Sequence, residues 1–558
     1  MDSLACGVVV LLLSICLYQG YRWAQNLQAA RRTGLPFTWS PIHELEFWAY
    51  FTNPILRWWC ADYLQQERGW PRWARFLIKD WTYEDKGRAH QEYGEVFLVV
   101  SPAGMICYIS NADTALSVCT RRKAFIKPPE KMKMLEPFGP NVVSTEGDLW
   151  RFHLRVTLPP FGESVHRAVW SETLRQGTLL TSVWVRSGSG SLKDDIYTLT
   201  VNVMSCVGFG CPTDWTDDPT ALPQGHRLSL VRSIFGVVTN LPQILLLPTW
   251  LMKVISPFVY HAYMEFGRYM DELLAQEKTK MSSRAPSRLN SSEKGNLLTA
   301  VITANSEQPS ADEQRVEKFL IWDNAGYDTT ANTILFSSIV LALYDDIQDA
   351  IIAEVRRIKQ EAEAAGRSEL SYDEDLPKFR YLLAFMYEVM RVFPIVIPIT
   401  RMAVQNEDLP VEGTKHTLPA GTQTIVNNTG VHYNDKYWPS PHIIEPRRWL
   451  TGNPNAYDPQ APTGDQLHEI QQGKFPLPNH RRGTFMTFNE GPRACLGRRF
   501  AQIEFIAFFA RLLRDHRLRL DDGIEPAEVE RQIRLRAGGS PVTLVPPMDL
   551  RVRLCPNT

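Results

Sequence analysis

The sequence predicts a mainly α-helical protein with a small β region, carried behind one N-terminal membrane-spanning helix. Three observations lead there. Leu4 to Tyr18 is apolar throughout except for Ser14. Two short β-prone runs, Val96 to Val100 and Ile106 to Ile109, are separated by a turn. From Ala112 onward long helical patterns dominate, among them Val316 to Tyr344, which is apolar on most faces as a buried helix would be.

The apolar run continues through Tyr18, Tyr21 and Trp23, where interfacial aromatics belong, and so reaches the ~20 residues that a bilayer-crossing helix needs. A cleaved signal peptide is disfavoured because Asp2 stands where a basic residue is expected and no small-x-small cleavage site follows. Arg22, Arg31 and Arg32 lie on the C-terminal side, which places the body of the chain in the cytosol by the positive-inside rule. Thr33-Gly34-Leu35-Pro36 ends any continuous helix. The expected division is therefore an anchor with its basic flank at 1–32 and a body at 33–558. A second aromatic stretch, Phe47 to Tyr63, is compatible with core or with lipid contact.

With 44% apolar and 22% charged residues the 558-residue chain has the composition of a globular enzyme. A net charge of −1 gives no general attraction to nucleic acid or acidic membranes. The nine cysteines are scattered and form no C-x-x-C pair, so neither a disulfide framework nor a zinc site is expected. Most suit the role of buried apolar thiols. The segments from Lys280 to Asn296 and from Thr451 to Thr484 read as loops, the latter long enough to suggest a functional or mobile element.

One cysteine has different surroundings. Phe485-Met486-Thr487-Phe488-Asn489-Glu490-Gly491-Pro492-Arg493-Ala494-Cys495-Leu496-Gly497 is turn-rich, and a helix is expected directly after Cys495. A thiolate at a helix entrance is favoured by the positive end of the dipole and can ligate haem iron. Gly491 and Gly497 would let the backbone pass close to a flat macrocycle, and Phe488 would shield the sulfur. Phe488, Gly491, Arg493, Cys495 and Gly497 match, position for position, the haem-binding signature of the cytochrome P-450 superfamily, and the wording resembles fungal members of microsomal type.

Further segments resemble the same superfamily. Ala325-Gly326-Tyr327-Asp328-Thr329-Thr330 is similar to its oxygen-activation motif, in which an acid and the hydroxyl after it deliver protons; Asp328 and Thr329 take those places. Thr329 is expected to bond back to the Ala325 carbonyl, and Gly326 to permit a local bulge. Thr330, ~100° further round the helix, is expected to point away. Glu388 and Arg391, three apart on one helix face, resemble the E-x-x-R pair, and Arg448 in Pro446-Arg447-Arg448-Trp449 resembles its third, structural member. Arg493 and Arg401 match positions that bind haem propionates. Trp150 opens a segment like the family's C-helix motif, with a departure: Leu154 stands at the usual arginine, Arg155 comes one position late and so ~100° round the helix from it, and His153 and Arg151 are the candidates to replace it. Phe319, Trp322, Val396, Ile397, Ile399 and Val542 lie where the family lines its substrate pocket.

The resemblance implies a single cytochrome P-450-type haem domain holding haem b. It implies insertion of one atom of O2 into a large apolar organic substrate, in secondary-metabolite biosynthesis, at the endoplasmic reticulum membrane with the catalytic body in the cytosol. No Rossmann-type fingerprint or flavin module is present, so electrons are expected from NADPH through a separate NADPH-cytochrome P-450 reductase. The implied partners are that reductase, membrane lipid and a small apolar substrate, not nucleic acid. Two other classes remain open: a haem-thiolate isomerase or dehydratase, for which the Asp328 and Thr329 pair would be superfluous, and a non-catalytic haem-binding sensor. NADPH consumption with reductase and substrate distinguishes them.

Overall fold

The computed structural model describes residues 2–557 apart from 43, 45, 66–68, 214, 216–221, 223–224, 284–296, 300–301, 303–325, 451–480 and 537–542. Most of both expected loops falls outside the described residues. The principal helices are α1 (Asp2–Thr33), α2 (Phe47–Trp59), α3 (Ala112–Thr120), α4 (Gly147–Thr157), α5 (Glu163–Ser187), α6 (Leu192–Phe209), α7 (Leu230–Thr239), α8 (Pro257–Ser283), α9 (Tyr327–Leu343), α10 (Asp345–Ala364), α11 (Arg380–Val392) and α12 (Arg498–Leu512). Their ends carry the expected chemistry. Asn111 caps α3 by accepting the Thr114 N–H at 3.0 Å, and Ser191 caps α6 by accepting the Asp194 N–H at 3.0 Å. Asp194 and Asp195 fill the first turn of α6, and Gly210 closes it in the left-handed region.

Among the described residues ten strands accompany them: β1 (Phe37–Trp39), β2 (Val96–Ser101), β3 (Gly104–Ile109), β4 (Phe125–Ile126), β5 (Pro398–Ala403), β6 (Glu407–Val411), β7 (Thr414–Leu418), β8 (Gln423–Asn427), β9 (His516–Leu520) and β10 (Val552–Pro556). Six form one mixed sheet in the order β1-β2-β3-β8-β5-β4, and the others pair as β6-β7 and β9-β10. The two-residue alternation divides the sheet's faces. Val96, Leu98, Val100, Met105 and Cys107 pack toward α1 and α3, whereas Phe97, Val99, Ile106 and Tyr108 pack toward the α2 side with Trp70 and Trp81. The two runs read as β-prone are thus a hairpin buried on both faces.

The largest core gathers α5, α6, α9, α11 and α12. In α9 every residue from Thr330 to Leu341 is buried, and in α11 every residue from Tyr381 to Val392. Apolar residues on all faces are what a helix surrounded by protein requires. Of the cysteines, Cys60, Cys107 and Cys119 are buried and burial raises their thiol pKa, as expected of apolar fillers.

The expected membrane-spanning helix is not met: among the described residues no helix is long and apolar enough to cross a membrane. The apolar run does become the first half of α1, although the side chains of 1–5, 8, 9 and 12 lie outside the described residues. Its second half belongs to the body. Asn26 Nδ2 donates to the Ser101 carbonyl at 2.8 Å, and Ala30 and Leu35 are buried in the core beneath the sheet. The helix stops at Gly34, whose φ is +72°. In the stretch from Phe47 to Tyr63, Ala49 and Cys60 are buried while Ile55, Trp58, Trp59 and Tyr63 are exposed; the side chains of 47, 48, 50 and 51 lie outside the described residues.

Candidate active site

The segment before α12 folds into a tight loop. Cys495 N–H donates to the Phe488 carbonyl at 2.8 Å and Asn489 N–H to the Met486 carbonyl at 2.8 Å, so the chain doubles back between them. Asn489 and Gly491 adopt φ of +57° and +74°, and the Asn489 side chain donates to the Arg493 carbonyl at 3.1 Å. Gly491 is required by two constraints at once. Its φ is left-handed, and a Cβ would stand 2.8 Å from the Cys119 carbonyl oxygen at the end of α3. Gly497 differs: its φ is −81°, and a Cβ there would meet only the Cys495 sulfur, at 4.0 Å. Gly491 therefore seats the loop on α3, and Gly497 keeps one side of the sulfur open. The helix expected directly after Cys495 begins at Arg498, with Gly497 as its cap.

Cys495 and Phe488 line a cavity of about 820 Å³. Arg401, from β5, and Arg493 also line it, and both are buried. Arg493 Nη1 and Nη2 donate to the carbonyls of Val142 and Thr145 at 3.0 and 2.6 Å; Nη2 pairs with Glu146 at 2.5 Å, and the guanidinium lies 4.2 Å from the Trp150 ring centre. Arg401 Nη1 donates to the Thr400 carbonyl at 2.9 Å. Arg493 Nε and Arg401 Nη2 have no hydrogen-bond partner. Burial lowers the pKa of both arginines, yet a guanidinium stays charged in proteins. Two buried cations with unmet N–H groups on one cavity wall fit an anionic group inside it.

Trp150 is buried in α4. Leu154, and none of Arg151, His153 and Arg155, lines the cavity. Arg151 pairs with Asp148 at 2.6 Å on the surface, Arg155 is exposed and His153 is buried. Neither expected substitute, His153 or Arg151, thus reaches the wall, and Arg155 is turned away from it. A cation does reach Trp150 from elsewhere: the Arg122 guanidinium lies 4.8 Å from its ring centre. Nothing in the sequence marks Arg122 beyond the basic run Arg121-Arg122-Lys123.

The described part of the long helix begins at Gly326, which with Thr329, Thr330 and Thr333 lines the cavity. Thr329 Oγ1 donates to the Gly326 carbonyl at 2.9 Å; Ala325, its expected acceptor, lies outside the described residues. Thr330 was expected to turn away and instead lines the cavity beside Thr329, because positions 326, 330 and 333 share one face of the helix. Asp328 is on another side, where it accepts from Tyr197 at 2.7 Å, Thr543 at 2.5 Å and Asn332 at 3.3 Å.

Glu388, Arg391 and Arg448 meet in one buried cluster. Arg391 Nε and Nη2 donate to Glu388 at 2.9 and 2.8 Å, and Arg448 Nε donates at 3.0 Å. The Glu445 N–H and the Trp449 indole add donors at 2.9 Å each. Burial opposes ionisation of Glu388, but the two guanidinium groups hold its carboxyl below the ordinary value. The surplus N–H groups of Arg391 are met by the carbonyls of His432, Pro441 and Ile443, so the cluster is satisfied inside the core. Val396, Ile397 and Ile399 line the cavity. Phe319, Trp322 and Val542 lie outside the described residues.

A family model described as Cytochrome P450 matches residues 73–539. Cytochrome P450 monooxygenase prx9 of Penicillium rubens is 37% identical, over 98% of this chain and 96% of its own. Cytochrome P450 monooxygenase ORF6 of Penicillium roqueforti is also 37% identical with the same coverage. The phomenoic acid biosynthesis cluster cytochrome P450 monooxygenase of Leptosphaeria maculans is 24% identical over 95% of this chain and 93% of its own. Among solved structures, the cytochrome P450DA heme domain superposes with a TM-score of 0.66 at 16% identity, covering 88% of this chain and 97% of that one. That likeness speaks to the fold.

Proposed function

The chain belongs to the cytochrome P450 family and is an oxidoreductase of the haem monooxygenase kind, and from that premise we propose that Cys495 would ligate the iron of a haem b, which Arg401, Arg493 and Trp150 would hold in the cavity. The carrying observation is that the Cys495 sulfur and two buried arginines with unmet N–H groups share one cavity. The arginines suit the two propionates, Phe488 limits water at the sulfur, and Gly497 leaves it accessible. The bound haem supplies activation of O2 with electrons from NADPH, delivered by a separate NADPH-cytochrome P450 reductase. Thr329, which lines the same cavity, is the hydroxyl of this reading, and its neighbour Asp328 is the acid that gathers protons. An intact acid beside hydroxyls favours oxygen insertion over an electron-free isomerisation or a sensor role.

The substrate in this reading is a large apolar molecule of secondary metabolism. Support comes from the cavity's volume, its walls of Val396, Ile397, Ile399 and Leu544, and the biosynthetic cluster in the name of the Leptosphaeria relative. Membrane association at the endoplasmic reticulum, with the catalytic body in the cytosol, is proposed through exposed apolar side chains. These are Leu11, Leu13 and Leu17 on α1 and Ile55, Trp58 and Trp59 on α2.

Reduced protein treated with carbon monoxide tests the ligand. A thiolate-bound haem absorbs at the long-wavelength position that names the family, and Cys495→Ser is expected to abolish that band. An unchanged band in the variant overturns the assignment.

A further inference from the structure

Asp328 and Thr329 are neighbours in sequence, yet no hydrogen bond joins their side chains. The Thr329 hydroxyl is committed to the Gly326 carbonyl at 2.9 Å. The Asp328 carboxylate is held elsewhere: Oδ1 accepts from Tyr197 of α6 at 2.7 Å and from Asn332 Nδ2 at 3.3 Å, and Oδ2 accepts from Thr543 Oγ1 at 2.5 Å. Of these three partners Thr543 alone lines the cavity. Asn332 Nδ2 also donates to Thr543 Oγ1, at 3.2 Å, which turns the hydroxyl proton toward the carboxylate. Tyr197 is buried; burial, and then the charge of Asp328, raise its phenol far above the ordinary value, so it remains a donor.

We propose that Thr543 is the hydroxyl that carries protons from Asp328 into the cavity, and that Tyr197 is a positioning residue that fixes the carboxylate for this transfer. The proposal rests on the reading of Asp328 as the acid of the reaction. Asp328 is half-buried and takes a proton from solvent. Once Asp328 is protonated its O–H donates to Thr543 Oγ1, the hydroxyl turns its own proton from the carboxylate to a water in the cavity, and the carboxyl proton passes onto Oγ1 as that proton leaves. One proton leaves the carboxyl and one enters the cavity, the threonine is regenerated, and no electron moves.

The test uses the holoenzyme with reductase and NADPH but no added substrate, and measures the share of consumed O2 released as hydrogen peroxide. It compares Asp328→Asn, Thr543→Val, Thr543→Ser and Tyr197→Phe with wild type. Positioned proton transfer is worth about 10²- to 10⁴-fold, so Thr543→Val is expected to raise the peroxide share by about threefold or more, as Asp328→Asn does. Thr543→Ser, which keeps the hydroxyl, is expected to restore it. An independent reading comes from the infrared carboxylate band of resting protein labelled with ¹³C-aspartate, assigned by its loss in Asp328→Asn. Thr543→Val and Tyr197→Phe are expected to shift that band, and Thr543→Ser to return it. If Asp328→Asn leaves the peroxide share unchanged, the acid reading itself fails. If Asp328→Asn raises the share and Thr543→Val does not, or the band stays in place in Thr543→Val, the relay through Thr543 is overturned and the acid reading stands.

Discussion

Arg448 reaches back sixty residues to Glu388, its Nε donating to Oε1 at 3.0 Å where neither side chain touches solvent. The same carboxylate carries Arg391, so removing it strands two buried cations. Breaking a buried pair costs about 3–5 kcal/mol, and Glu388→Ala is expected to lower the thermal midpoint steeply and to lose haem. Because the folded Glu388 carboxyl is held below its ordinary value, its contribution is present above the unfolded pKa and is lost as pH falls through the folded one. Melting curves of wild type and Arg448→Met on the acid side check this: the wild type is expected to lose stability there and the variant to lose less.

Gly491 and Gly497 make opposite predictions. Gly491→Ala places a Cβ 2.8 Å from the Cys119 carbonyl at a φ of +74°. The left-handed backbone alone costs roughly 1–2 kcal/mol, and the overlap adds to it, so poor folding and low haem content are expected. Gly497→Ala has ordinary φ and only the Cys495 sulfur at 4.0 Å to meet. It is expected to melt near wild type while changing the carbon monoxide spectrum. A normal spectrum with a large loss of stability would contradict the contrast.

Thr329 and Thr330 both line the cavity, so Thr330 is no bystander. Thr329→Ala removes the hydroxyl that donates to Gly326 and is expected to increase peroxide release from NADPH-driven turnover. Thr330→Val keeps shape and loses polarity, and is expected to alter the absorption change on ligand binding while leaving peroxide release close to wild type. A reversed pattern would move the reacting position one residue along α9.

Glu504 of α12 lines the cavity with one oxygen that has no partner, and burial pushes its carboxyl up from 4.5 to about 8. The folded chain therefore keeps a proton that the unfolded chain releases. That contribution is complete below the unfolded value and declines as pH rises through the folded one, which places the loss between about pH 4.5 and 8. Glu504→Gln is expected to flatten this part of the profile and to gain stability over wild type at the alkaline end. Denaturant unfolding of both proteins across the window decides it, and parallel profiles would refute the role of this group.

Deletion of the first 21 residues removes the exposed Leu11, Leu13 and Leu17 of α1 and spares Asn26 and its bond to the sheet. The truncated protein is expected to bind lipid vesicles less while retaining haem. Residual binding is expected to fall further in Trp58→Ser with Trp59→Ser, because both indoles are exposed on α2.

Local patterns were legible from the residues. The loop around Cys495, the i, i+3 pair of Glu388 and Arg391, the β-prone runs that form β2 and β3 and the all-apolar face pattern of α9 each depend on residues within a short stretch, where local backbone geometry decides the outcome. The resemblance to the P450 family rested on those same short stretches. Tertiary structure decided the rest. Asp328 finds Tyr197 across 131 residues and Thr543 across 215, and spacing along the chain carries no information about such meetings. Trp150 takes its cations from Arg122 and Arg493, on separate segments, rather than from its own helix. Thr330 faces the cavity because packing of α9 set the rotation of the whole helix, which no helical periodicity can specify when every face is apolar. The second half of α1 lies on the sheet because Asn26 and Ala30 find partners there, which hydropathy counted along the chain could not reveal.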